Sequence, residues 1–99
     1  MTQDDRLTLA LLDRTGRPVR VEPLASDWRH TLRRLVADEG SWIALFQQRA
    51  PTRSPTPGPA DIALTRALIR ILRPLDLRLA DHVIQAGEAR FSFRAAGLL

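Results

Sequence analysis

The side chains able to do chemistry in this chain are few, and their arrangement is informative. There is no cysteine among the 99 residues, so disulfides, thiolate metal sites and cysteine nucleophiles are excluded. Metal ligation or proton transfer would fall to the two histidines, His30 and His82, and to carboxylates such as Glu22 and Asp61. Nothing in the spacing of those four suggests a new metal site. Ser54 and Ser92 have no recognisable base beside them and do not read as nucleophiles. Asp61 stands out by its setting. It opens a helix directly after a proline-rich loop, where a carboxylate faces the positive end of the helix dipole. Helix capping alone would account for it.

The cations form the other candidate constellation. All fifteen basic residues are arginine, against eleven acids. Arg66, Arg70 and Arg73 recur on one side of the expected second helix, and Arg29, Arg33 and Arg34 form another cluster. The ordinary reading is the wet face of an amphipathic helix. The functional reading is a surface for an anionic partner. A basic balance is only the first requirement for nucleic-acid binding, and the aromatic interleaving of single-strand binders is missing.

These residues need elements to hold them. Leu7, Leu9 and Leu11 alternate with Thr8 and Ala10, Asp13-Arg14-Thr15-Gly16 makes a turn, and Val19 and Val21 alternate with Arg20 and Glu22. The pattern predicts a hairpin with one face on the core. Ser26-Asp27 caps a helix over Asp27–Glu39, with Gly40 as its stop. Trp42–Phe46 is a continuous apolar run, as in a central strand. Four prolines between Arg49 and Ala60 exclude helix and central strand there. A second helix runs from Pro59 to Arg73, and Pro74 ends it. Strands over Arg78–Gln85 and Ala89–Phe93 flank a turn at Ala86-Gly87-Glu88. The order ββαβαββ describes one α/β domain with a mixed sheet and two main helices. The polar, acidic start is unlike a signal peptide, and no apolar run is long enough to span a bilayer. The expectation is a soluble, cytoplasmic protein with no membrane partner.

The C-terminal half carries a more specific text. PADIALTRAL (Pro59–Leu68), DHVI (Asp81–Ile84) and RFSFRAAGLL (Arg90–Leu99) resemble the JAB/MPN domain of the bacterial RadC family. The resemblance is strong from Pro55 to Leu99 and weaker but colinear from Arg6 to Phe46, so it covers residues 1–99 as one domain. The helix-hairpin-helix region that precedes this domain in full-length RadC proteins has no counterpart here. The resemblance implies a cytidine-deaminase-like α/β fold and a zinc-hydrolase architecture similar to the JAMM isopeptidases. In that pattern a His-x-His pair and an Asp bind zinc, while an upstream Glu acts as general base.

Counted back without gaps from Asp61, the histidine positions fall on Gln48 and Ala50, and the serine three residues before the aspartate becomes Gly58. Glu22 matches the general-base position. Only Asp61 of the ligand set is kept, and Arg49 and Arg53 bring positive charge to the place a cation would occupy. The expectation is therefore no bound zinc and no catalytic residue. The chain should be an inactive RadC-like module that works by binding or scaffolding. A JAMM-type hydrolase with an altered site and a DNA-associated accessory protein, after the family's DNA-repair name, are the alternatives. A protein partner, nucleic acid through Arg66, Arg70 and Arg73, and a homodimer through an exposed strand edge are the candidate associations.

Overall fold

The computed structural model describes residues 5–24, 30–33 and 42–99. Strand β1 (Arg6–Leu12) turns back into β2 (Pro18–Pro23), residues 30–33 are helical (α1), and β3 (Trp42–Arg49) follows. Helix α2 (Pro59–Leu72) continues into a 3-10 turn (Arg73–Leu75), then come β4 (Arg78–Ala86) and β5 (Ala89–Ser92). The sheet order is β2-β1-β3-β4-β5, with β3–β4 the parallel pair. All the other pairs are antiparallel. This is the mixed α/β sheet expected from the sequence.

The β1–β2 turn is closed by a side chain. Asp13 Oδ1 accepts the Thr15 and Arg17 amides at 2.8 and 3.0 Å, and Gly16 supplies the positive φ of 84°. These contacts, the Thr15 hydroxyl foremost, hold the Asp13 carboxyl below its usual range.

The two central strands are apolar on both sides. Leu9, Leu11, Ile43 and Leu45 form one cluster with Leu68 and Leu72 of α2 and with Leu32. Ala10, Leu12 and Ala44 form a smaller one, against which Trp42 and Ala80 pack. Each fully buried leucine or isoleucine stabilises the fold by about 1.5–3 kcal/mol, and the larger cluster ties α2 to the sheet.

The hairpin differs from expectation on one point. Pairing places Val21 opposite Ala10, and Arg20 and Glu22 opposite Leu11 and Leu9. The apolar side of β2 therefore lies away from the main core, and Val19 and Val21 remain 55% exposed. Register with β1 fixes which side faces the helix, and alternation alone does not reveal it. The first helix was expected over Asp27–Glu39. Residues 30–33 are helical and Leu32 is buried; its cap, its Gly40 stop, Arg29 and Arg34 lie outside the described residues. Strand β3 continues three residues beyond the apolar run, and this extension makes the site.

Candidate functional site

The site forms where β3 ends and α2 begins, linked by the proline-rich loop. This is the carboxyl end of a strand that joins its parallel neighbour through a helix, where open α/β sheets place their ligands. Side chains alternate along a strand. With Ile43 and Leu45 facing α2, the next two positions on that face are Gln47 and Arg49, which are only 4% and 6% exposed.

Both reach Asp61 in the first turn of α2. The Arg49 Nη2 lies 2.8 Å from each carboxylate oxygen of Asp61, and Gln47 Nε2 donates to Oδ1 at 2.9 Å. Asp61 also accepts the Gly58 amide at 2.8 Å, capping the helix that carries it. Gly58 itself has no side chain with which to cap.

The remaining Arg49 donors are spoken for as well. Nε donates to Asp5 Oδ2 at 3.0 Å, and Nη1 reaches the Ser54 and Thr56 carbonyls at 3.2 and 3.4 Å. All three guanidinium nitrogens are thus engaged, the full capacity of the group. Burial works against charge on both partners. It is outweighed at Arg49 by the bonds to Asp61 and Asp5, which raise its pKa. At Asp61 the desolvation is outweighed by Arg49, Gly58 and Gln47, which hold the carboxyl below its usual range.

Behind this pair sits His82 of β4, fully buried and stacked on Phe93 with ring centroids 4.3 Å apart. Because the Gln47 amide nitrogen points to two carboxylates, at Asp5 and Asp61, its oxygen must face the histidine. His82 Nε2 lies 2.7 Å from that oxygen and therefore carries the proton. Nδ1 is then left as the acceptor of the Thr65 hydroxyl. Desolvation lowers the His82 pKa to about 4, so the ring is neutral at pH 7. Among the described residues no buried side-chain nitrogen or oxygen lacks a partner.

The resemblance placed the family's histidine positions at Gln48 and Ala50; the side chains that reach Asp61 are those of Gln47 and Arg49. Gln48 is exposed, pairs across the sheet with Arg6 and Gln85, and projects from the opposite face; Ala50 follows the strand's end. Glu22 sits two strands away on β2, with Oε1 3.4 Å from Arg20 Nε. Arg66, Arg70 and Arg73 are exposed at the surface, and His30 is exposed on the helical segment. Gln47, Arg49, Thr65 and Asp5 were missed as a group. Extending the alternation of Ile43 and Leu45 by four residues would have found the first two.

A RadC-like JAB domain model matches residues 3–98, nearly the whole of this fold. The chain belongs to the RadC-like JAB domain family. Among the relatives it matches is a UPF0758 protein of Rhodobacter capsulatus, 32% identical over 95 residues, or 96% of this chain and 44% of that protein. UPF0758 protein YeeS of Escherichia coli K12 is 32% identical over 71 residues, 72% of this chain and 47% of its own. YkfG of the same organism is 41% identical over 49 residues, 50% of this chain and 31% of its own. The chain thus spans less than half the length of these curated relatives.

The JAB architecture implies zinc, and the residues at the site do not fit it. Zinc takes three protein ligands with available lone pairs and keeps a fourth position open. Here a guanidinium, with donors only, is bonded to both oxygens of the one carboxylate on that face of α2. The Gln47 oxygen is turned toward His82. No group of three His, Asp or Glu residues able to hold a metal occurs among the described residues. No helix among them is long and apolar enough to cross a membrane.

Proposed function

We propose that this RadC-like domain is non-catalytic, a degenerate JAMM centre kept as a folded module that binds or scaffolds. The observation that carries this reading is the double contact from Arg49 Nη2 to Asp61 at 2.8 Å. A side-chain cation takes the position a catalytic cation would need, and it can neither polarise a carbonyl nor activate a water as a metal does. The same contact weighs against a hydrolase with an altered site. Kept as a scaffold, the domain meets its partner through its surface. The exposed Arg66 and Arg70 on α2 favour an acidic protein face, with nucleic acid a weaker candidate.

Zinc titration of the untagged protein, followed by calorimetry and elemental analysis, tests this. The expected result is no stoichiometric zinc in the natural chain. Stoichiometric zinc that survives gel filtration and departs with chelator would sink the reading. The side-chain register gives a sharper comparison. Gln47→His with Arg49→His should gain zinc affinity, because both imidazoles then face Asp61. Gln48→His with Ala50→His should gain none.

A further inference from the structure

At the other end of the sheet lies an open cavity of about 950 Å³, unrelated to the Asp61 cluster. Trp42 begins β3 and Arg49 ends it, so seven residues of strand, roughly 23 Å, separate the two places. Its apolar lining comes from both faces of the sheet's end: Leu77 and Leu79, nearly buried, belong to the cluster under α2, and Trp42, half-buried, to the smaller cluster on the other face. Arg73, Arg78 and Arg94 also line it, with Asp76 among them. The Arg78 guanidinium lies 5.8 Å from the Trp42 ring centroid, which holds it on the Trp42 side. Arg94 is fixed by donating from Nε to the Ala80 carbonyl at 2.6 Å.

We propose that this cavity binds a small amphipathic organic anion around the end of the sheet, its apolar body reaching from Trp42 on one face toward Leu77 and Leu79 on the other and its carboxylate or phosphate head among the three arginines. The volume is that of a pocket for a small molecule, and the excess of arginine in its lining sets the sign of the head group. Guanidinium groups suit both head groups, which they can bind through two parallel hydrogen bonds. The site stands whether or not the Asp61 cluster is catalytic.

Octanoate and octyl phosphate, set against octyltrimethylammonium as the cation with the same tail, provide the probes. Nitrogen-15 NMR of the whole chain reads the Trp42 indole and the Leu77 and Leu79 amides. Saturable shifts at these residues with a Kd below about 1 mM are expected for the anions, and none at that concentration for the cation. Arg73→Glu with Arg78→Glu should weaken the anions by about tenfold, since two local attractions become repulsions. Asp76→Asn should tighten them about two- to threefold by removing one like charge. Asparagine suits the left-handed backbone there, φ 57°, so this gain does not depend on a destabilised variant. Equal response to anion and cation, shifts confined to other residues, or Asp76→Asn with unchanged affinity would overturn the proposal.

Discussion

Replacing Arg49 by methionine keeps most of the side chain's volume and removes its charge. Asp61 then loses both 2.8 Å contacts from Nη2, and Asp5 loses its bonds to the same group at 2.9 and 3.0 Å. Gln47 and Gly58 still donate to Asp61, but its side chain is only 12% exposed and has lost the cation against it. Removing one partner of a buried ion pair costs about 3–5 kcal/mol, because the other charge stays behind in the interior. Asp61 has some solvent contact and two remaining donors, so the low end, about 3 kcal/mol, is the expectation. A chain of this size has about 5–15 kcal/mol of stability in total. With a urea slope of about 1.5 kcal/mol per molar, the unfolding midpoint at pH 7 should fall by about 2 M. Urea denaturation followed by circular dichroism reads this directly. Arg49→Met combined with Asp61→Asn removes both charges and should recover at least half the loss. A single variant costing less than about 1 kcal/mol, the value of an exposed ion pair, would refute the account. So would a double variant no more stable than Arg49→Met.

Acid should unfold the domain in two stages. The His82 pKa is lowered from 6.5 to about 4 in the fold, so its neutral form stabilises the native state fully above pH 6.5. That contribution is lost as pH falls toward 4, about 3 kcal/mol in all, and Asp61, held below 3.8, loses its share below that. Equilibrium denaturation from pH 7 to 3.5 should show this decline, and His82→Phe should flatten its upper part. Thr65→Val removes the donor to His82 Nδ1 and should cost about 1–2 kcal/mol by thermal or urea unfolding. Gly58→Ser should stabilise by a few tenths of a kcal/mol, since φ is −92° and a Cβ would meet Asp61 Oδ2 only at 3.8 Å; a loss in melting temperature would mean that the cap is strained.

The fold was legible wherever apolar pattern and burial coincide. Ile43 and Leu45, Leu68 and Leu72, and the β4–β5 turn at Gly87 all fall where their spacing and turn chemistry place them. The end of β3 was not legible, because Gln47, Gln48 and Arg49 look like the start of a loop. They are strand because two of them answer carboxylates instead of packing in an apolar core. The loop hid the register for a different reason. Residues 51–57 contain three prolines and no periodicity, so a count across them carries no information on which strand residues face α2. Counting back from Asp61 gave Gln48 and Ala50, whereas Gln47 and Arg49 are the side chains that reach it. The outward turn of Val21 was equally silent, since it depends on which side α2 covers.

The Arg49 contact also changes what the domain's stability can respond to. A fold completed by a dissolved ion gains stability with the logarithm of that ion's concentration and loses it when the ion is withdrawn. Arg49 instead comes with the chain, at a fixed ratio of one to Asp61, and arrives when β3 pairs with β4. If the proposed reading holds, the melting point should not rise when zinc is added. It responds to pH through His82 and Asp61.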